Sequence, residues 1–195
     1  MKLQISEIAD IISNRVDNPS DHPELCYVGL EHYVSGDVTI DKFQDTSMLK
    51  SSAKAFQSGD ILVARRNVYL KRAGIVNFDG ITSGDSIVLR PKTDAYRNIL
   101  PFALNTDSFW EYAEKYADGT MSKRLSPEIL SKYEINLPEG EDNIISISNV
   151  LWSMYNLIQV YKKMIIKTDE MVKSQFIGVF IRSENIVGGV FYAKV

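Results

Sequence analysis

The chain has 195 residues, 45% of them hydrophobic and 24% charged, with a formal net charge of −3. That suffices for one substantial core, excludes a disordered composition, and leaves no window near the roughly 18 uninterrupted apolar residues of a membrane span. One cysteine, Cys26, excludes an internal disulfide and gives a metal cluster no partner set, which points to a reducing, cytoplasmic setting.

The opening "MKLQISEIADIISN" alternates acidic and apolar residues and lacks the apolar core of a signal peptide. Ile5, Ile8, Ile11 and Ile12 fall on one face of a short predicted helix. "CYVGLEHYV" and "VTIDKF" bracket Ser35-Gly36-Asp37 and predict a hairpin, with Cys26 as a small buried hydrophobe. "DILVARR", "AGIVNF" and "SIVLRP" predict three strands, with turn chemistry at Phe78 to Gly80 and at Ser83 to Asp85. "ILPFALNT" and "SFWEYAEKYA" predict helices that stop at Gly119. In "LSPEILSKYEINLP", Ser126 is an N-cap and Pro127 a first helical residue, before a last strand ending at Pro138. Residues 1–140 therefore read as one α+β domain with a curved, mainly antiparallel sheet and short helices.

The pattern then changes. Between Asn143 and Phe176 there is neither proline nor glycine, and Leu151, Met154, Ile158, Tyr161, Ile165, Thr168 and Val172 recur in steps of three and four. That is a heptad seam, with Lys162, Lys163, Lys167 and Lys173 outside it, and it predicts a long coiled-coil helix over 141–180. A single long helix cannot bury its stripe against itself. The chain offers no second long helix, so the expected partner is another copy of the chain; the competing reading lays the helix flat on its own domain. The closing 181–195, at the end of "FIGVFIRSENIVGGVFYAKV", is too apolar for a solvated tail, and its packing stays open.

No phosphate-binding loop, GxGxxG fingerprint, HExxH spacing or GxSxG elbow occurs. His22 and His32 lie near no cysteine, and Glu31 and His32 would face opposite sides of a strand. Asp60, Asp79 and Asp85 sit beside glycines, where turn formation competes with the binding of a divalent cation, as in a metal-dependent nuclease. No cofactor is expected. The cations are uneven: "ARRNVYLKRAG" concentrates Arg65, Arg66, Lys71 and Arg72 around Tyr69. Were this stretch extended, Arg65, Asn67, Tyr69 and Lys71 would share one face, and Arg66, Val68, Leu70 and Arg72 the other, nearer the core. The first face carries cations for phosphate or guanine, an amide for adenine and a ring. "GTMSKRLS" adds Thr120, Ser122, Lys123 and Arg124 in a glycine-led loop suited to phosphate. The residues alone leave solvated surface and DNA contact both open.

The order of "YVGLEHYVSGDV", "FQSGDILVARRNVYLKRAGIVNFDGITSGDSIVL", "YADGTMSKRLSPEILSKYEINLP" and a lysine-rich helix resembles the specificity subunit of type I restriction-modification systems. The resemblance runs from about Leu3 to Phe180. It implies one target recognition domain and one helical region, a half-subunit, where members usually carry two of each. "EDN" at Glu141 to Asn143 stands where the family usually has "EQ". It implies a non-catalytic, DNA-binding protein that reads half of a bipartite site in double-stranded DNA and docks methyltransferase and restriction subunits. The expected DNA contacts are Arg65, Asn67, Tyr69, Lys71, Lys123 and Arg124, with Ser83 and Gly84. The expected dimerisation residues are Leu151, Met154, Ile158, Tyr161, Ile165 and Val172, in a homodimer of antiparallel helices whose symmetry gives a palindromic, interrupted target. The alternative is a coiled-coil interaction or scaffold module that has lost DNA reading.

Overall fold

The computed structural model describes residues 1–188 except 48, 50 and 121, and of residues 178–188 the backbone alone. It divides into two compact units at Asn149 and Val150.

The first unit is built on two four-stranded sheets. One runs in the order β2 (Ala9–Ile12), β9 (Ser86–Pro91), β6 (Ile61–Ala64), β7 (Ala73–Ile75), antiparallel throughout. The other runs β3 (Arg15–Val16), β5 (Ala53–Phe56), β8 (Gly80–Thr82), β4 (Cys26–Val28), with β4 parallel to β8 and the rest antiparallel. A two-stranded ribbon joins β1 (Lys2–Gln4) to β10 (Glu134–Asn136), with Leu3 opposite Ile135. The α+β class and the mainly antiparallel pairing agree with the sequence.

All four residues of β6 are buried. Leu62 and Ala64 join Val88 of β9 in a core cluster with Val28 and Phe56, which belong to the second sheet. On the other side, α2 (Asp94–Ala103) packs across β9, β6 and β7, with Ile99 and Leu100 buried. A strand covered on both faces needs no alternation, which explains the unbroken "ILVA" run. Burying each of these aliphatic side chains contributes roughly 1.5–3 kcal/mol.

The helix ends follow capping chemistry. Thr93 accepts from Tyr96 N at 3.3 Å at the start of α2, and Thr106 accepts from Phe109 N at 3.4 Å at the start of α3 (Asp107–Tyr116). At the start of α4 (Pro127–Ser131), Ser126 accepts from Ile129 N at 3.2 Å, as its position before Pro127 predicts. Just before β6, Asp60 is buried and its carboxylate takes two bonds from Arg90, at 2.8 and 2.7 Å, and one from Gln57 N at 2.8 Å.

Three local expectations are corrected. The predicted helix over Ile5 to Ile12 is only α1 (Ile5–Ile8), because Ala9–Ile12 pair with Val88–Pro91 as β2. The hairpin around Gly36 does not form. β4 instead pairs with β8, and a 3₁₀ turn at Leu30–His32 follows, held by Gly29 N donating to His32 Nδ1 at 2.9 Å. Val38 and Ile40 are buried against the edge of β7, where Ile40 N bonds Ile75 O and Ile75 N bonds Val38 O, both at 2.9 Å. Gly80 has a steric reason: a Cβ there would meet the Cys26 carbonyl oxygen at 2.3 Å, so the parallel pairing of β4 and β8 excludes a side chain. Cys26 itself is half-buried.

The long helix α5 runs Glu141–Gly188, 48 residues and hence about 70 Å. At its start Asn143 donates to Glu139 O at 2.7 Å, and Ile144 and Ser148 are buried in the first unit. Its backbone covers the first part of the closing apolar segment, and residues 189–195 lie outside the described residues. In the second unit Met154, Ile158, Tyr161, Ile165 and Val172 are 52–68% exposed, and Leu151 is half-buried.

Candidate nucleic-acid interface

The basic stretch does not stay extended. β6 ends at Ala64, and Asn67 and Lys71 both take left-handed backbone conformations, with φ of 55° and 48°, on either side of a 3₁₀ turn at Val68–Leu70. Asparagine tolerates that region; for a lysine it is strained. The turn tucks Val68 into the core and leaves Tyr69 57% exposed at its tip. The period-two sorting of Arg65, Asn67, Tyr69 and Lys71 onto one face therefore does not hold, since it requires an extended chain.

A different geometry unites most of the predicted residues. Arg65 N donates to Asp85 O at 2.9 Å, and Arg65 O accepts from Leu125 N at 2.8 Å. Asn67 N donates to Lys123 O at 2.9 Å, and Arg66 faces Arg124 in an isolated antiparallel bridge. The segment 65–67 is thus stitched between the Ser83–Gly84–Asp85 turn on one side and the loop ending at Arg124 on the other. That loop is pinched shut by mutual bonds between Asp118 and Arg124, at 3.0 and 2.8 Å.

Side chains reinforce the meeting. Ser122 Oγ donates to Asn67 Oδ1 at 2.9 Å and accepts from Arg66 Nε at 3.2 Å. Arg66 and Arg124 lie 3.5 and 3.6 Å from the two oxygens of Asp85, while remaining 44% and 48% exposed. Lys54, on β5, donates to Ser86 O at 2.9 Å and Gly84 O at 3.5 Å, and burial together with the charge of Arg65 lowers its pKa. Tyr27 lies on β4 beside this turn, and burial followed by the charge of Glu31 raises its pKa. Arg72 points inward, donating to Leu30 O at 3.0 Å and Arg66 O at 3.2 Å.

Of the predicted contacts, Arg65, Asn67, Ser83, Gly84, Lys123 and Arg124 thus meet across three loops. Lys123 spends its ammonium on Glu114 O at 2.8 Å, near the C-terminal end of α3. Tyr69 stands at the tip of the turn, and Lys71 reaches away to Asp107 at 2.7 Å. That bond raises the pKa of Lys71 and lowers that of Asp107. Sequence reasoning assigned Arg66 to the core side, yet its guanidinium is exposed at the centre. It also missed Lys54 and Tyr27, whose strands come alongside only through pairing with β8, a signal absent from local sequence. Asp79 accepts from Ser58 N at 2.7 Å, tying its own loop to the one before β6, whereas Asp60 accepts from Gln57 N within a single turn. No group of three His, Cys, Asp or Glu residues suited to a metal ion occurs among the described residues, and no helix among them is long and apolar enough to cross a membrane.

No protein-family model matches the chain. Its sequence is similar to the type I restriction enzyme EcoDI specificity subunit of Escherichia coli, at 23% identity over 138 residues, covering 70% of this chain and 30% of that one. Its fold is similar to a chain in a structure on the complex assembly and conformational transition of the type I R-M system, with a TM-score of 0.67 and 21% identity. It is similar to the HsdS subunit of Thermoanaerobacter tengcongensis, with a TM-score of 0.64 and 20% identity. Both matches cover 83% of this chain and 44% of the other. The type I restriction-modification S subunit of M. genitalium gives a TM-score of 0.52 at 15% identity, over 84% of this chain and 42% of that one. The resemblance read from the sequence is therefore met in three dimensions: the chain has the fold of type I restriction-modification specificity subunits and spans less than half the length of those it matches.

Proposed function

We propose that this chain is a DNA sequence-recognition module of a type I restriction-modification system, without catalysis of its own. It reads one half of a bipartite site in double-stranded DNA, and methyltransferase and restriction subunits dock on it to carry out the chemistry. The observation that carries the reading is the convergence of three loops on one surface with half-exposed arginines at its centre. Arginine pairs with guanine, asparagine with adenine, and lysines and hydroxyls with phosphate. Arg65, Asn67, Tyr69, Lys71, Ser83, Gly84, Lys123 and Arg124 form the contact set, joined by Arg66. Contact by Lys71 requires it to leave Asp107, an exposed pair that costs little to open.

The exposed seam of α5 supports pairing with a second copy through antiparallel helices, in a cytoplasmic homodimer whose symmetry makes the target a palindrome with a gap. Leu151, Met154, Ile158, Tyr161, Ile165 and Val172 form that contact.

Titration of labelled duplex with the full chain and its methyltransferase partner at several salt concentrations tests the reading. Affinity is expected to fall steeply with salt as phosphate counterions are displaced. Arg65→Ala and Lys71→Ala are expected to weaken binding and target methylation while leaving the oligomeric state intact. Duplex binding that is absent would overturn the reading in favour of a scaffold role, and methylation that neither variant changes would overturn the assignment of Arg65 and Lys71 as contacts.

A further inference from the structure

Asp85 is the unexpected member of this surface. A carboxylate among cations weakens attraction to phosphate, so its presence calls for a reason, and a turn-holding role does not supply one. Where aspartates hold local turns here, their carboxylates accept main-chain N–H groups within two or three residues: Asp60 from Gln57 and Asp45 from Ser47. The 83–86 turn is held by other atoms, with Asp85 N donating to Ser83 Oγ, Asp85 O accepting from Arg65 N, and Ser86 N donating to Ser83 O. The Asp85 carboxylate instead faces Arg66 with one oxygen and Arg124 with the other.

Those contacts are loose. At 3.5 and 3.6 Å they are longer than the arginine pairs Arg15–Asp17 at 2.7 Å, Arg90–Asp60 at 2.7 Å and Arg97–Asp94 at 3.1 Å. The groups are partly exposed, so such pairs contribute little and open readily. Access is also clear. Gly84 precedes Asp85, and a Cβ built there has nothing within 4 Å, so the turn presents its apex without a neighbouring side chain.

We propose that Asp85 is a specificity-determining residue that reads a G·C base pair in the major groove. Its carboxylate accepts the exocyclic N4 amino group of the cytosine, and one of the two arginines it holds turns to O6 and N7 of the guanine. This rests on the DNA-recognition reading above and adds to it a base and a reader. The chemistry is complementary: a carboxylate has only acceptors to offer, and cytosine presents only a donor in that groove, while guanine presents two acceptors to a guanidinium fork. Without DNA, Asp85 keeps both arginines aimed at the place where that pair lies.

The test is selection of binding sites from a randomised duplex pool by the full chain with its methyltransferase partner, as wild type, Asp85→Asn and Asp85→Ala, with affinity for unselected duplex measured alongside. The wild type is expected to enrich a motif containing a G·C pair that depends on Asp85. Asp85→Asn is expected to move that one position away from cytosine toward adenine, by about tenfold, and to leave the other positions unchanged. Asp85→Ala is expected to lose preference there alone. Both variants should bind unselected duplex at least as well as the wild type, since one negative charge is gone. A motif unchanged in both variants overturns the proposal and leaves the DNA-recognition reading standing. Blurring of every position with lower affinity for all duplexes makes Asp85 structural and overturns it too. If the wild type selects no motif, the reading and the proposal fall together.

Discussion

The two units of this chain use apolar residues in opposite ways. In the first, Ile61, Leu62, Val63, Leu89, Phe109 and Trp110 are at most 1% exposed, enclosed between sheets and helices of the same unit. In the second, Met154, Ile158, Tyr161, Met164, Ile165 and Met171 are all more than half exposed along a single helix. Side chains of similar hydrophobicity thus complete a fold in one region and stand uncovered in the other. Composition alone does not separate these cases. The first unit has elements enough to satisfy its own apolar surface; the second has one helix, and its stability in water is tied to whatever covers it.

Substitutions sharpen this contrast in descending order of effect on the first unit. Trp110→Ala empties a fully buried site on α3 and is expected to cost about 3–5 kcal/mol, read as a shift in chemical denaturation midpoint. Arg90→Ala leaves the buried Asp60 carboxylate without its two guanidinium bonds and is expected to cost about 3 kcal/mol by the same measurement. Ser126→Ala removes the N-cap of α4 and should cost about 1 kcal/mol. Ile158→Asp, in the exposed seam, is expected to leave the first unit's denaturation unchanged while shifting the chain from dimer to monomer in sedimentation. A monomeric wild type, or a dimer indifferent to this charge, would remove the contrast. Gly84→Ala is expected to fall within about 0.5 kcal/mol of the wild type, because its backbone is not left-handed and the space around it is open.

How much of this was legible in the sequence depends on the range of the interaction. The buried "ILVA" strand, the Ser126 cap before Pro127 and the long C-terminal helix are local patterns, and each is found where the sequence places it. The pairing of Cys26–Val28 with Gly80–Thr82 is not local. Residues more than 50 positions apart come into register because Gly80 lets the backbones approach, and nothing near Cys26 announces it. The same holds at the site. The basic residues were recognisable by type, but sorting them by strand alternation failed once Asn67 and Lys71 turned left-handed. Arg66 gained its central place from a loop nearly 60 residues downstream. The place of Asp85 between Arg66 and Arg124 was hidden for the same reason, since a turn aspartate and one facing two distant arginines look alike in sequence.

The stitching of the three loops has a consequence of its own. Arg65 N to Asp85 O, Leu125 N to Arg65 O and Asn67 N to Lys123 O are bonds between peptide groups, indifferent to which side chains the residues carry. The frame that brings the loops together is therefore separable from the letters displayed on it. Changing the side chains at 66, 84, 85 and 124 leaves these peptide bonds in place, so on the DNA-recognition reading proposed above a new target requires new side chains and no new fold.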